Sequence, residues 1–146
     1  MRQCIAVFFA LLFIANTTVA APLEARAVRF EIDMRAEIAA KKFDPLRDKV
    51  GMRGAALPLS WDVTTVGQAL GDGRFAVEVQ FDRSSDAGQP LQYKFKVDKA
   101  NNAARTAGWE EGRNHTISLQ LATQTVACAF HAPHAPSRRC HNTQYG

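Results

Sequence analysis

Long apolar runs are absent from this sequence after its first twenty residues, so no later segment is predicted to cross a lipid bilayer. It also lacks internal repeats, a glycine-rich phosphate loop, an HExxH zinc motif and a serine nucleophile elbow. Neither sign of charge dominates, because 18 basic residues stand against 14 acidic ones and the basic residues are scattered. Nucleic-acid binding is therefore not indicated, and we expect neither enzymatic activity nor a cofactor.

The one long apolar stretch lies at the amino terminus. Residues 1–20 combine a basic start at Arg2, an apolar stretch from Ile5 to Ala15 and small residues before position 20, an order typical of a secretory signal peptide. The stretch is shorter than the roughly 20 residues of a membrane span, so an uncleaved anchor is the weaker alternative. We expect a secreted or periplasmic protein that has no membrane contact after cleavage, with its folded domain in residues 21–127.

Cysteine is scarce, with three residues in the chain, and Cys4 lies within the predicted signal. The remaining pair in an exported protein predicts a disulfide between Cys128 and Cys140. It would close a loop of about a dozen residues and stabilise the fold by roughly 3 kcal/mol. Residues 128–146 are then an irregular tail held by that bridge. The alternative is a zinc or copper site, although the spacing fits no closed zinc finger. The thiols and imidazoles available for it are Cys128, His131, His134, Cys140 and His141.

Alternation of apolar and polar residues is the dominant pattern of the mature chain, and it predicts strands with one buried and one solvated face. The four clearest segments are VRFEIDM (28–34), RFAVEVQF (74–81), QYKFKVD (92–98) and NHTISLQL (114–121), with a weaker fifth at 48–54. Turn residues separate them at 71–73, 84–90 and 98–104, and helix formers at 35–43 predict one or two helical turns. The whole indicates an all-β fold, an antiparallel β-sandwich.

The alternation also assigns faces. In the segment 92–98 it places Phe95 in the core and both Lys94 and Lys96 in solvent. In the segment 114–121 it places His115 on the buried side and Asn114 on the solvated side.

The two tryptophans, Trp61 and Trp109, stand among glycines and polar residues rather than in apolar runs. Such rings either plug loops or form exposed platforms. A platform suits sugars, because the apolar C–H face of a pyranose stacks on an aromatic ring while its hydroxyls need polar partners. From the residues alone, both interpretations stay open.

The order of these motifs resembles the starch-binding carbohydrate-binding modules of family 20, appended to glucoamylases and related enzymes. It is carried by Trp61 followed by Asp62, by Tyr-Lys-Phe at 93–95, by Gly-Trp-Glu at 108–110 and by Asn114, and it covers roughly residues 28–121. The front end, with FDP and a following D-x-V, is similar to a bacterial branch of the family. The chain departs from the family in having ALPLSW before the first tryptophan and no tyrosine at 35–47, where a second sugar site would lie.

The resemblance implies an immunoglobulin-like sandwich that binds starch, glycogen or malto-oligosaccharide without catalysis. It implies stacking by Trp61 and Trp109, with Lys94, Glu110 and Asn114 taking hydrogen bonds with sugar hydroxyls. It also implies that a separate glucan-active enzyme is a candidate partner.

Less specific interpretations stand beside these roles. Lys94 taken alone is an ordinary solvated strand lysine. Neighbouring Glu110 and Glu111 on one loop are not spaced to flank a glycosidic bond as a catalytic pair. The sequon at 114–116 is an N-glycosylation acceptor, although the resemblance assigns its Asn114 to the ligand. The alternative functions are a secreted structural or protein-interaction sandwich and metal binding through the tail.

Overall fold

Two β-sheets pack together over one hydrophobic core, which confirms the predicted all-β sandwich. The structure is a computed structural model that describes residues 26–82, 90–101, 107–119, 123–130 and 140–143. The predicted signal peptide and the histidines at 131 and 134 lie outside these ranges. No helix in the described ranges has the length and apolar character needed to span a bilayer.

The larger sheet has five strands and is built around the first alternating segment. In spatial order its strands are β4 (Gln68–Gly71), β5 (Arg74–Phe81), β1 (Arg26–Asp33), β8 (Thr123–Ala129) and β9 (His141–Thr143). The β4–β5 hairpin turns at the predicted glycines, where Asp72 and Gly73 both have positive φ, as two-residue hairpin turns require. One feature departs from the antiparallel prediction, because β1 and β8 pair in parallel. The chain reaches β8 from the other sheet, so this pair does not come from a hairpin.

The smaller sheet has four strands and carries the tryptophan motifs. In spatial order its strands are β3 (Thr65–Val66), β2 (Lys49–Gly54), β6 (Leu91–Asp98) and β7 (His115–Ile117). The helical turn α1 (Arg35–Ala39) precedes β2. It ends earlier than the predicted 35–43, because Lys41 adopts a left-handed φ of 57° and the chain turns away.

The buried set matches the alternation on three strands. Phe30, Val77 and Phe95 are at most 2% exposed, as are most of their apolar neighbours at i±2. The rings of Phe30 on β1 and Tyr93 on β6 lie 4.9 Å apart and join the two sheets. The prediction for Lys96 was wrong, since this residue is only 2% exposed. The Trp109 ring lies over Lys96 at this point, and the loop at 60–64 is held beside it by hydrogen bonds to Arg53.

The carboxy-terminal segment is more regular than predicted. Cys128 lies inside β8 and is buried, so the predicted boundary between sandwich and tail at 127/128 falls within a strand. The Cys128–Cys140 disulfide is confirmed, with the two Cα atoms 4.4 Å apart. It joins β8 to the start of the edge strand β9, and it is compatible with an extracellular or periplasmic location.

Candidate functional site

The two tryptophans meet on the outer face of the four-stranded sheet. Their ring centroids are 6.1 Å apart and the ring planes are inclined by 51°. Trp61 is 36% exposed and Trp109 is partly buried. Two loops that are distant in sequence thus bring the two indole rings to one surface, with their planes inclined to each other.

Trp109 is held in place by backbone pairing along β6. Lys96 and Trp109 form an antiparallel bridge, and the amide of Val97 donates to the carbonyl of Gly108 at 2.7 Å. Gly108 has φ +82°, and a Cβ at this position would lie 1.9 Å from the carbonyl oxygen of Val97. Only glycine allows this approach, so the residue before Trp109 fixes where the indole stands.

Trp61 is presented by a loop with a buried anchor. Leu59, two residues earlier, is 4% exposed, and its amide donates to the carbonyl of Ala56 at 2.9 Å. The end of the loop closes onto β2 at Gly51, where a Cβ would lie 2.1 Å from the carbonyl oxygen of Thr65. The segment ALPLSW therefore delivers Trp61 to the surface.

Two cations lie beneath the indoles. Arg53 and Lys96 are 6% and 2% exposed, and they approach the Trp109 ring centroid at 5.3 and 5.8 Å. Arg53 donates from Nη1 to the carbonyl of Trp61 at 2.7 Å and from Nε to Oγ1 of Thr64 at 3.0 Å. One guanidinium therefore ties the Trp61 loop to the strand and supports the Trp109 ring.

Asp98 neutralises part of this charge. It pairs with Nζ of Lys96. Burial by itself would raise the pKa of the Asp98 carboxyl, but hydrogen bonds from Lys96 and Thr64, together with the nearby cations, hold that pKa below its ordinary value. The layer under the indoles is thus polar, ionised and hydrogen-bonded rather than hydrophobic.

Lys94 and Asn114 lie along the same strand face. Lys94 donates from Nζ to the carbonyl of Gly112 at 2.6 Å, and Asn114 donates from Nδ2 to Oε1 of Gln92 at 3.0 Å. Lys94 is partly buried and Asn114 is exposed. Because residues 92, 94 and 96 follow one another on the outer face of β6, the polar groups and Trp109 are spread over roughly 13 Å.

Glu110 does not reach this surface. Its side chain is 1% exposed, and its Oε1 accepts a hydrogen bond from the amide of Phe95 at 2.7 Å. The segment beside β6 is extended, so consecutive side chains point to opposite faces, and an outward Trp109 forces Glu110 inward. We therefore correct the expectation that Glu110 contacts sugar hydroxyls. Its carboxylate instead supports the loop from the core side of the sheet.

The alternation correctly placed His115 on the buried side. Its Nε2 lies 2.9 Å from Oε1 of Glu110, and its ring stacks on Tyr93 at a centroid distance of 5.1 Å. Sequence reasoning gave no role to Arg53, Lys96 or His115. No motif marks them, and they become neighbours of the site only when the loops close over the sheet.

Within the described ranges, no group of three or more His, Cys, Asp or Glu side chains is arranged so that it could hold a metal ion. The histidines at 131 and 134 lie outside those ranges. Comparison with protein-family models, with curated proteins and with solved structures finds no match to the chain.

Proposed function

We propose that this protein binds α-glucan, such as starch, glycogen or malto-oligosaccharide, without catalysis. The observation that carries the proposal is the pairing of Trp61 and Trp109, 6.1 Å apart on one surface. A pair of large aromatic rings that stays partly exposed on a small sandwich is unfavourable in water, which favours a ligand that covers it. The inclined planes suit a curved glucan, in which successive sugar rings change direction.

Polar groups beside the rings supply partners for hydroxyls. Lys94 and Asn114 are held by single intramolecular hydrogen bonds to Gly112 and Gln92. Such exposed bonds exchange readily for bonds to a ligand, since each contributes only about 1 kcal/mol net. The starch-binding resemblance assigned hydroxyl contacts to Lys94, Glu110 and Asn114. Because Glu110 is buried, the proposal keeps only Lys94 and Asn114 in this role.

Arg53 and Lys96 give the platform its rigidity. Both are buried and bonded in the free protein, so the indoles do not have to be ordered when the ligand arrives. Their hydrogen bonds face the sheet and the loop, so we assign them support of the rings rather than contact with sugar.

Tryptophan replacement tests the proposal. Trp61→Ala is expected to weaken retention on insoluble starch by roughly 30-fold, because an aromatic anchor commonly contributes 2 kcal/mol or more. Trp109→Ala should weaken it at least as much, and should also lower thermal stability because it uncovers Arg53 and Lys96. Leu46→Ala is the matched control, since this apolar side chain is 94% exposed outside the site.

The pull-down is run beside cellulose and chitin, with folding checked by circular dichroism. Loss of starch binding in folded Trp61→Ala, with full binding in Leu46→Ala, supports the proposal. If folded Trp61→Ala and Trp109→Ala both bind starch like the parent, the surface has another use, and the structural or protein-interaction function takes its place.

Export belongs to the same proposal. The signal peptide predicted at residues 1–20 and the Cys128–Cys140 disulfide both favour a protein that acts outside the cytosol, where it would meet soluble or insoluble glucan.

A further inference from the structure

A second cluster of reactive groups lies behind the sheet, on the core side of the tryptophan loop. The Sγ atom of Cys140 is 3.6 Å from Nδ1 of His115, and Nε2 of the same imidazole is 2.9 Å from Oε1 of Glu110. Cys140 is one half of the disulfide, and its partner Cys128 is 5% exposed. The sulfur is therefore next to an imidazole, and the imidazole is next to a carboxylate. A disulfide that only stabilises the fold needs neither group beside it.

The polar atoms of this cluster are not fully used by the folded chain. His115 Nε2 lies 2.9 Å from Glu110 Oε1, but the two atoms are not aligned for a hydrogen bond. Within the described residues, neither His115 Nε2 nor Glu110 Oε2 has a hydrogen-bond partner, although both atoms are buried. Buried unsatisfied polar atoms are rare in native proteins, and a redox or catalytic role is one of the explanations for them.

We propose that Cys128–Cys140 is a redox-active disulfide that exchanges with external thiols at the Cys140 sulfur, with His115 as the activating imidazole and Glu110 as its orienting carboxylate. The proposal does not rest on glucan binding. In the reduced protein, the Cys140 thiolate and the Glu110 carboxylate flank an imidazolium, and this arrangement stabilises the thiolate. Its likeness to activated cysteine sites is one of geometry, with the sulfur on one ring nitrogen and the carboxylate on the other.

The direction of exchange follows from exposure. Cys128 is enclosed by the core within β8, whereas Cys140 is half-buried at the start of the edge strand β9. An external thiolate such as glutathione attacks Sγ of Cys140, the bond to Cys128 breaks, and Cys128 leaves as a thiolate that takes a proton from solvent. A second glutathione thiolate attacks the glutathione sulfur of the mixed disulfide, forms glutathione disulfide and releases Cys140 as a thiolate. Two electrons pass from two glutathiones to the protein disulfide.

Few other ionisable groups face this sulfur in the described part of the chain. Tyr93, on β6, stacks on the His115 ring and stays neutral, because burial, reinforced by the charge of Glu110, raises the pKa of its phenol. The residues of β8 that adjoin Cys128 are alanines at 127 and 129. Among the described side chains, His115 is the ionisable group that the structure places against the Cys140 sulfur.

The test is the pH dependence of alkylation. Reduced protein is treated with iodoacetamide across a range of pH, and the rate at each cysteine is read by peptide mass spectrometry. The same protein in urea is the internal control, because there both thiols should titrate near their ordinary value of about 8.5. We expect the midpoint for Cys140 to lie at least about one pH unit lower in the folded protein, and Cys140 to react before Cys128.

Variants separate activation from structural support. His115→Asn should return the Cys140 midpoint to its value in urea and make the disulfide about tenfold harder to reduce in a glutathione buffer at neutral pH. If His115→Asn does not fold, His115→Gln replaces it in the same measurement. If the reduced parent does not fold, Cys128→Ser provides a chain in which Cys140 is always a free thiol. A Cys140 midpoint equal to that in urea, a midpoint unmoved by both His115 variants, or a reduced chain that unfolds in every form overturns the proposal.

Discussion

Gly108→Ala should disrupt the tryptophan site far more than the same change at Gly112, although both glycines have left-handed backbones in the same loop. Their φ angles are +82° and +90°. An alanine in this conformation costs about 1–2 kcal/mol by itself. At Gly112 that is the whole expected effect, because an added Cβ would meet no atom within 4 Å.

At Gly108 the added Cβ would lie 1.9 Å from the carbonyl oxygen of Val97. Relief requires the loop and β6 to separate by about 1 Å or more, since the contact is with backbone and no side chain can rotate away. Separation stretches the 2.7 Å hydrogen bond from the Val97 amide to the Gly108 carbonyl. Its loss leaves a buried donor unpaired, at about 1–3 kcal/mol. The total expected for Gly108→Ala is therefore about 2–5 kcal/mol.

Urea unfolding followed by tryptophan fluorescence measures the difference. With a slope of about 1–3 kcal/mol per molar urea, Gly112→Ala should lower the midpoint by about 0.5–1 M and Gly108→Ala by at least twice as much. Starch retention gives a second measure, because a displaced Trp109 loop would lose the ligand even where the sandwich survives. Equal midpoints for the two variants, with parental starch binding by Gly108→Ala, would refute the reasoning from close approach.

Two further predictions concern single charged side chains. Lys94→Ala should weaken starch binding about fivefold, because one exposed hydrogen bond from Lys94 to a sugar hydroxyl contributes about 1 kcal/mol. Unfolding should change little, because the bond from Lys94 to the Gly112 carbonyl is exposed to competing water. A loss of binding as large as that of Trp61→Ala would contradict this ranking. At Asp48, burial alone would raise the carboxyl pKa, but backbone amides and Lys99 outweigh it and hold that pKa below its ordinary value. A depressed folded-state pKa stabilises the protein above about pH 4, and this contribution is lost as the pH falls further. Asp48→Asn should therefore lower the free energy of unfolding at neutral pH and flatten its decline below pH 4, whereas parallel pH profiles of variant and parent would oppose the assignment.

The strands that could be predicted are those in which one face is buried along the whole length. In β1 and β5 every second residue enters the core, so a period of two in the sequence follows directly from the packing. A shift of one residue would turn the apolar set of Phe30 and Ile32 into solvent, and this makes the register as predictable as the strand itself.

Two of the strands that were not predicted, β3 and β4, lack such a face. Every residue of β4 is exposed, and β3 has only two residues, so neither leaves an alternating pattern. The parallel pairing of β8 with β1 depends on contacts between segments about one hundred residues apart, which local patterns do not record. Cys128 was therefore predicted at the start of a tail, whereas it lies in β8, an interior strand of the larger sheet.

The same limit explains the errors at Lys96 and Glu110. Alternation states which side of a sheet a residue faces, but it does not state whether that side meets water. Lys96 does point away from the core, as predicted, yet Trp109 and the Trp61 loop close over it and bury its charge. Once Trp109 has taken the outer face, its neighbour Glu110 must take the inner one, where a carboxylate is tolerated only because the Phe95 amide bonds to it and His115 lies beside it. The tryptophans among glycines thus marked the candidate site in the sequence, while the charged groups that hold it became visible only when the second layer over the sheet was known.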